Sequence, residues 1–202
     1  MCERLLAKSS RTGNIHFIKC WYLYMQTNRP TQTILQSGKF LTLIKEDRWE
    51  YVDRVNGSGA ALILAVTAEQ RIILVEQHRI PVHARTIELP AGIIGDQQDS
   101  ASESATEAAR RELLEETGYV ADSFVPLMTG PSCSGLTSEK VTLFHATGLR
   151  RAGEGGGVAN EEIIIHEIPM VEVVRWLETK ARTGILIDPK IYAGLFFLTE
   201  SK

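Results

Sequence analysis

The chain is poor in cysteine, lacks any long apolar run and carries almost no charge imbalance, and each lack removes a class of protein. Its three cysteines (Cys2, Cys20, Cys133) form no CxxC pair and share no metal-ligand spacing with the histidines. Neither a disulfide framework nor a structural zinc site is therefore expected. So sparse and odd a count suits a reducing compartment, and a cytoplasmic location is expected. No segment is apolar over the roughly 20 residues that a bilayer span requires. Lys19 interrupts the apolar stretch 15–24, which leaves no clean signal-peptide core. A formal net charge of −3 supplies no field that would hold nucleic acid or an anionic membrane. Internal repeats are absent as well. What remains, 44% hydrophobic and 23% charged residues over 202 positions, is material for one globular domain with a full core.

Residues 1–37 read as an N-terminal arm, either disordered or an upstream extension, and 38–202 as a single domain. Alternating apolar and polar residues mark 39–44 and 48–55 as half-buried strands. Asn56-Gly57-Ser58-Gly59 is a turn. Strands follow at 60–67 and 72–77, the first apolar enough for a sheet centre. A short strand over 86–89 runs into Pro90-Ala91-Gly92, and the polar stretch 95–102 forms a loop. The pattern then predicts a helix over 103–117. Ser100 and Ser104 each stand three residues before an acid, the spacing of a capping box, and Gly118 is placed for a left-handed helix end. Further strands are expected at 123–128, 141–147 and 162–168, helices at 171–183 and 188–199, and a flexible glycine loop over 153–157. The sum is an α+β fold in which a mixed β-sheet is sandwiched between helices (α/β/α), one per face, with an N-terminal β-hairpin extension. The strands within 38–59 have no evident partner inside such a core. A homodimer that exchanges or covers them is expected.

The densest chemistry lies in Arg111-Glu112-Leu113-Leu114-Glu115-Glu116-Thr117-Gly118. On a helix Glu112 and Glu116 lie one turn apart with Glu115 beside them, so three carboxylates crowd one arc. Such like-charge pairs weaken a helix by a few tenths of a kcal/mol each. A solvated acidic face is the ordinary explanation of acids in a row. A hard divalent cation, which takes oxygen ligands, would offset the repulsion.

This stretch resembles the Nudix box: Gly, five residues, Glu, seven residues, then Arg-Glu-apolar-any-Glu-Glu-any-Gly-apolar. Here Glu103 is followed by seven residues and then Arg111 to Gly118, with Tyr119 a loose match at the last position. Ten residues, not five, separate Gly92 from Glu103. The excess falls in the polar loop, where an insertion costs little. The resemblance covers the chain from about Gly38 onward and implies a Nudix hydrolase fold. It further implies that Glu112 and Glu116 hold metal, that Glu115 is a ligand or close supporter, and that the Ala91 carbonyl completes the shell. Arg111, Gly92 and Glu103 would be structural support. The implied cofactor is Mg²⁺, with Mn²⁺ as a substitute.

Flanking residues resemble the ADP-ribose and ADP-sugar pyrophosphatases of that family. Glu88-Leu89-Pro90-Ala91-Gly92 is similar to their approach to the box, and Glu76-Gln77-His78-Arg79 to a strand whose arginine contacts substrate phosphate. A planar guanidinium suits that task. Trp49-Glu50-Tyr51 resembles a hairpin that crosses to the partner subunit and helps hold adenine, although aromatic residues favour strands anyway. Glu139 matches a loop glutamate near the terminal ribose. Ser134 stands where these enzymes usually have proline, which keeps a broader nucleoside diphosphate sugar hydrolase, GDP-mannose included, in view. The general base implied by the resemblance is Glu161, with Glu162 its neighbour, Glu115 an alternative and Glu154 a weaker rival. The expected reaction is hydrolysis of ADP-ribose or a related ADP-sugar to AMP and a sugar phosphate. A non-catalytic sensor that binds ADP-ribose would have an eroded box and a DNA-binding module. Here every box carboxylate stands, and 1–37 shows no helix-turn-helix pattern. An isomerase on the same fold would want a catalytic cysteine, a role that only Cys133 of the post-box loop could fill. The histidines His78, His83 and His166 read as solvent-facing or strand residues.

Overall fold

A computed structural model describes residues 31–96, 102–157 and 162–200. Its centre is β4 (Ala60–Val66), an uninterrupted apolar strand that alternates between two cores. Ala61, Ile63 and Ala65 face one way and pack with Ala108, Ala109 and Leu113 of helix α1 (Ala105–Thr117). Leu62 and Leu64 face the other way and pack with Val173 and Leu177 of α2 (Val173–Arg182) and Ile191 of α3 (Lys190–Glu200). Burial on both faces is why the strand is continuous in apolar residues. One face carries one helix and the other carries two, where one each was expected.

The large sheet has eight strands. Around β4 stand β5 (Arg71–Arg79), β6 (Ala84–Glu88), β9 (Ser123–Pro131), β10 (Lys140–Thr147) and β13 (Leu186–Ile187), in the order β13-β6-β5-β4-β10-β9. In addition β7 (Ala91–Ile93) pairs with β4, and β12 (Ile164–Pro169) pairs with β5. The β4–β10 and β6–β13 pairs are parallel and the rest antiparallel, so the sheet is mixed as expected. The two-residue strands β8 (Tyr119–Val120) and β11 (Arg150–Arg151) form a small pair beyond the end of α1.

The N-terminal boundary differs from the sequence reading. Gln32–Ser37 is strand β1, inside the stretch assigned to the arm. It pairs with β2 (Leu41–Glu46), which pairs with β3 (Trp49–Arg54), so the expected hairpin is a three-stranded sheet. This sheet also has a partner within the chain. The Val52 amide donates to the Leu136 carbonyl at 2.9 Å, and Ser138 Oγ donates to Asp53 at 2.6 Å. Exposed apolar side chains remain on it nonetheless, namely Ile34, Leu35, Phe40, Leu41 and Trp49.

Helix α1 starts two residues later than expected because Ser104, not Ser100, is its N-cap. The Ser104 hydroxyl accepts from the Glu107 amide, and the Glu107 carboxylate accepts from the Ser104 amide. Ser100 lies outside the described residues. Glu103 thereby stays off the helix, free to turn toward Arg111. Gly118 closes the helix with φ +71°, as expected.

Candidate active site

Arg111 organises the carboxylates of α1. Its Nε donates to Glu103 at 3.0 Å, while one Nη nitrogen serves both Glu112 (2.6 Å) and Glu115 (3.1 Å). The other Nη reaches the Ile93 carbonyl at 3.2 Å, which fastens the helix to β7. Glu103 also accepts from the Gly95 amide at 2.9 Å and so closes the long loop at its base. Arg111 and Glu103 are thus joined to each other at the start of the box helix.

Glu116 and, again, Glu112 meet the sheet side. Glu116 is 5% exposed and accepts from the Ala91 amide at 2.9 Å. Glu112 lies so close to Gly92 that a Cβ at residue 92 would overlap its side chain and force it to move. Burial pushes the Glu112 carboxyl up to about 7, against the opposing pull of the Arg111 charge. Part of the protein therefore carries this group protonated at neutral pH, and a cation beside it would favour the ionised form.

The donor set suits a hard divalent cation, since Glu112, Glu115 and Glu116 offer only carboxylate oxygens. Among the described residues no three His, Cys, Asp or Glu side chains are already gathered for a metal ion. Their present partners explain this. The Arg111 guanidinium draws Glu112 and Glu115 together, as a cation would, and the Ala91 amide holds Glu116. Ala91 was expected to contribute its carbonyl. The contact observed runs through its amide.

Arg79 forks onto Glu88 with two bonds of 2.7 Å, and Thr86 also donates to Glu88. Ile73 packs in the α1 core, so alternation along β5 puts Gln77 and Arg79 on the face that carries the box helix. Glu139 is ion-paired with Arg54. Trp49 is 52% exposed and borders a groove of about 720 Å³ together with Tyr51, Asp53, Ser134 and Thr137. No residue of α1 lines this groove, and neither Glu50 nor Glu139 does. Within one chain, then, Arg111 draws Glu103, Glu112 and Glu115 together, and the groove beside Trp49 is lined without them. Glu162 is exposed ahead of β12, and Glu161 lies outside the described residues. Cys133 is exposed at the start of a turn whose Leu136 and Thr137 amides bond its carbonyl.

Two features run against the sequence reading. The glycine stretch 153–157 is docked onto the end of α1, not left as a loose loop. The Gly156 and Gly157 amides donate to the carbonyls of Glu116 and Glu115 at 2.9 and 3.0 Å. His166 lies in strand β12, as expected, yet it does not face solvent. It bonds the buried carboxylate of Glu76 at 2.9 Å, and Arg85 and Lys180 bond the same carboxylate at 2.7 and 3.3 Å. Burial alone would raise the Glu76 carboxyl, but these donors outweigh it and hold it at about 2. The available signal was an acid directly after the apolar run 72–75 of β5, where a buried charge requires partners.

The Nudix domain family matches residues 57–185, a span that holds the box helix, the core beneath it and the docked glycines. The chain belongs to the Nudix family of hydrolases. It is 30% identical to a methanol dehydrogenase activator of Bacillus methanolicus over 62% of this chain and 66% of that one. It is 33% identical to a GDP-mannose pyrophosphatase of Cronobacter sakazakii, over 70% and 72%. With an ADP-ribose pyrophosphatase of Bacillus subtilis it shares 30% identity over 71% and 79%. The solved structure of an ADP compounds hydrolase superposes with a TM-score of 0.61 at 18% identity, covering 86% of this chain and 94% of that one, and shows the shared fold. Nudix hydrolases generally require a divalent metal, in keeping with the oxygen donors on α1. Among the described residues no helix is long and apolar enough to cross a membrane.

Proposed function

We propose that this Nudix hydrolase cleaves the diphosphate bond of ADP-ribose or a related ADP-sugar in the cytoplasm, giving AMP and a sugar phosphate. The observation that carries this reading is the convergence of Glu112, Glu115 and Glu116 on Arg111 and the Ala91-Gly92 backbone. Glu112, Glu115, Glu116 and the Ala91 carbonyl would hold Mg²⁺, which supplies charge neutralisation at the diphosphate and a more acidic water. Arg79, on the same face, would leave Glu88 for a substrate phosphate, whose two oxygens match its fork. Glu161 is proposed to take the proton of the attacking water, with Glu162 and Glu115 as alternatives. Trp49 and Glu50 would hold the base, and Glu139 the distal sugar.

A second reading, a hydrolase of other nucleoside diphosphate sugars such as GDP-mannose, is favoured by Ser134 in the post-box loop and by the 33% identity to a GDP-mannose pyrophosphatase. A phosphate-release assay with coupled phosphatase and Mg²⁺ separates the readings, with ADP-ribose, ADP-glucose, GDP-mannose, UDP-glucose and NADH as substrates. ADP-ribose should give the highest kcat/KM. Faster GDP-mannose turnover would establish the second reading, and no turnover of any member would leave a binding protein. In the same assay Glu161→Gln should lower turnover about a hundredfold, and Glu162→Gln far less. The reverse order would transfer the role.

The groove beside Trp49 takes no lining from the box helix, and the small sheet exposes Ile34, Leu35, Phe40 and Leu41. Both features favour a homodimer in which this sheet meets a second copy. Light scattering at micromolar concentration should give twice the 22.5 kDa chain mass. A fully active monomer would refute the assembly.

A further inference from the structure

The segment 152–157 meets the end of α1 through a set of backbone hydrogen bonds. Ala152 and Gly153 donate to the Gly118 carbonyl at 2.8 and 3.0 Å, Gly156 to Glu116 and Gly157 to Glu115. The last carbonyls of a helix have no partner inside it, and here the two supplied from outside belong to proposed metal ligands. Gly155, Gly156 and Gly157 all have positive φ, at +70°, +100° and +87°. A Cβ on Gly155 would lie 2.5 Å from the Gly118 nitrogen and against the Thr117 backbone. Gly155 is thus required by close approach and backbone sign, and Gly156 and Gly157 by backbone sign. Arg151 anchors the segment from behind: its Nη2 donates to the Glu154 carbonyl at 3.1 Å, Nη1 pairs with Glu167 at 3.4 Å, and the guanidinium lies over the Tyr119 ring. Tyr119 directly follows the helix cap, so the anchor and the cap belong to one unit.

We propose that 152–157 is a positioning element for the box helix, in which docked glycine amides fix the last turn of α1 and thereby the directions of the Glu115 and Glu116 carboxylates. A carbonyl that accepts a bond from outside can no longer swing toward solvent, and the side chain on the same residue is fixed with it. Fraying of the last turn, ordinary at helix ends, would otherwise spread two ligands of one site. The inference rests on the reading of Glu115 and Glu116 as metal ligands. It assigns a role to residues that lie beyond the box and carry no functional side chain.

The test is direct Mn²⁺ binding, followed by the loss of the free-ion electron paramagnetic resonance signal, with melting temperatures measured in parallel. Gly155→Ala introduces the clash and should weaken Mn²⁺ affinity at least about tenfold, the usual effect of disturbing the groups that orient metal ligands. Gly184→Ala is the control. Its φ is +88°, and a Cβ there meets nothing within 4 Å, so it carries similar backbone strain away from α1. It should lower the melting temperature without changing Mn²⁺ affinity. Unchanged affinity in Gly155→Ala, or equal weakening in Gly184→Ala, would overturn the proposal. If Gly155→Ala does not fold, amide exchange in the wild type decides. Coupling is reciprocal, so saturating Mn²⁺ should slow exchange at Gly156 and Gly157 severalfold, and no slowing would refute the coupling. Glu116→Gln in the same binding assay separates the two levels. If Glu116→Gln leaves affinity intact, the ligand assignment fails, whatever the glycine variants do.

Discussion

Glu116→Gln is expected to lose at least about a hundredfold in turnover while the protein keeps its fold. The amide has nearly the shape of the carboxylate, and its oxygen can still accept from the Ala91 amide, the bond that ties α1 to β7. What disappears is a negative charge on a side chain only 5% exposed. A ligand whose charge compensates a divalent cation in so dry a place cannot be replaced by water without loss, and second-sphere changes alone cost ten- to a hundredfold. The melting temperature without metal should move by no more than a few degrees, since removal of a buried charge relieves desolvation while the hydrogen bond remains. The measurement is steady-state turnover at saturating Mg²⁺ alongside thermal melting in EDTA. Near-normal turnover would remove Glu116 from the mechanism.

The box helix was legible because its information is local. A capping box at Ser104, carboxylates at helical spacing and a glycine in the left-handed position all lie within fifteen residues, and the structure keeps each. The central strand was legible for a similar reason, an apolar run with no polar interruption. Features that depend on distant partners were not. Strand β1 is six exposed residues with little pattern of its own, made a strand by pairing with β2. Glu76 finds His166 and Lys180 at separations of 90 and 104 residues, which no local spacing reveals. The glycines at 153–157 show the same limit more sharply. Composition reads a glycine run as freedom, but the same missing Cβ permits close approach, and only the helix end packed against them decides which property is used. Arg79, matched by resemblance to a phosphate contact, is in this structure committed to Glu88. A sequence gives the identity of a side chain without its resting partner.

Arg111→Met should lower stability more than any other single change in the site. Arg111 bonds Glu103, Glu112 and Glu115, whose side chains are 10%, 13% and 28% exposed, while its own is 19% exposed. Methionine has similar length and can fill the space, so the loss is one of charge and hydrogen bonds, not of volume. Removal of one partner from a buried ionic group typically costs about 3–5 kcal/mol, which in a chain of this size corresponds to a fall of about 10 °C in melting temperature. The pH dependence identifies the cause. Burial already holds the Glu112 carboxyl at about 7, above the ordinary 4.5, even with Arg111 beside it. A raised carboxyl binds more protons folded than unfolded, so stability falls as pH rises from 4.5 through the folded value. Without Arg111 that value climbs further. The deficit of the variant should therefore be smaller near pH 5, where the lost Glu103 pair still counts, and should widen through pH 7 to pH 8. Mn²⁺, which supplies the missing positive charge and binds only the folded chain, should restore more of the melting temperature in the variant than it adds to the wild type. Thermal melts at pH 5 and pH 8, each with EDTA and with Mn²⁺, read all of these effects together. A deficit that did not change with pH would show that Arg111 stabilises the helix through its bonds to Glu103 and the Ile93 carbonyl, not through the charge of Glu112.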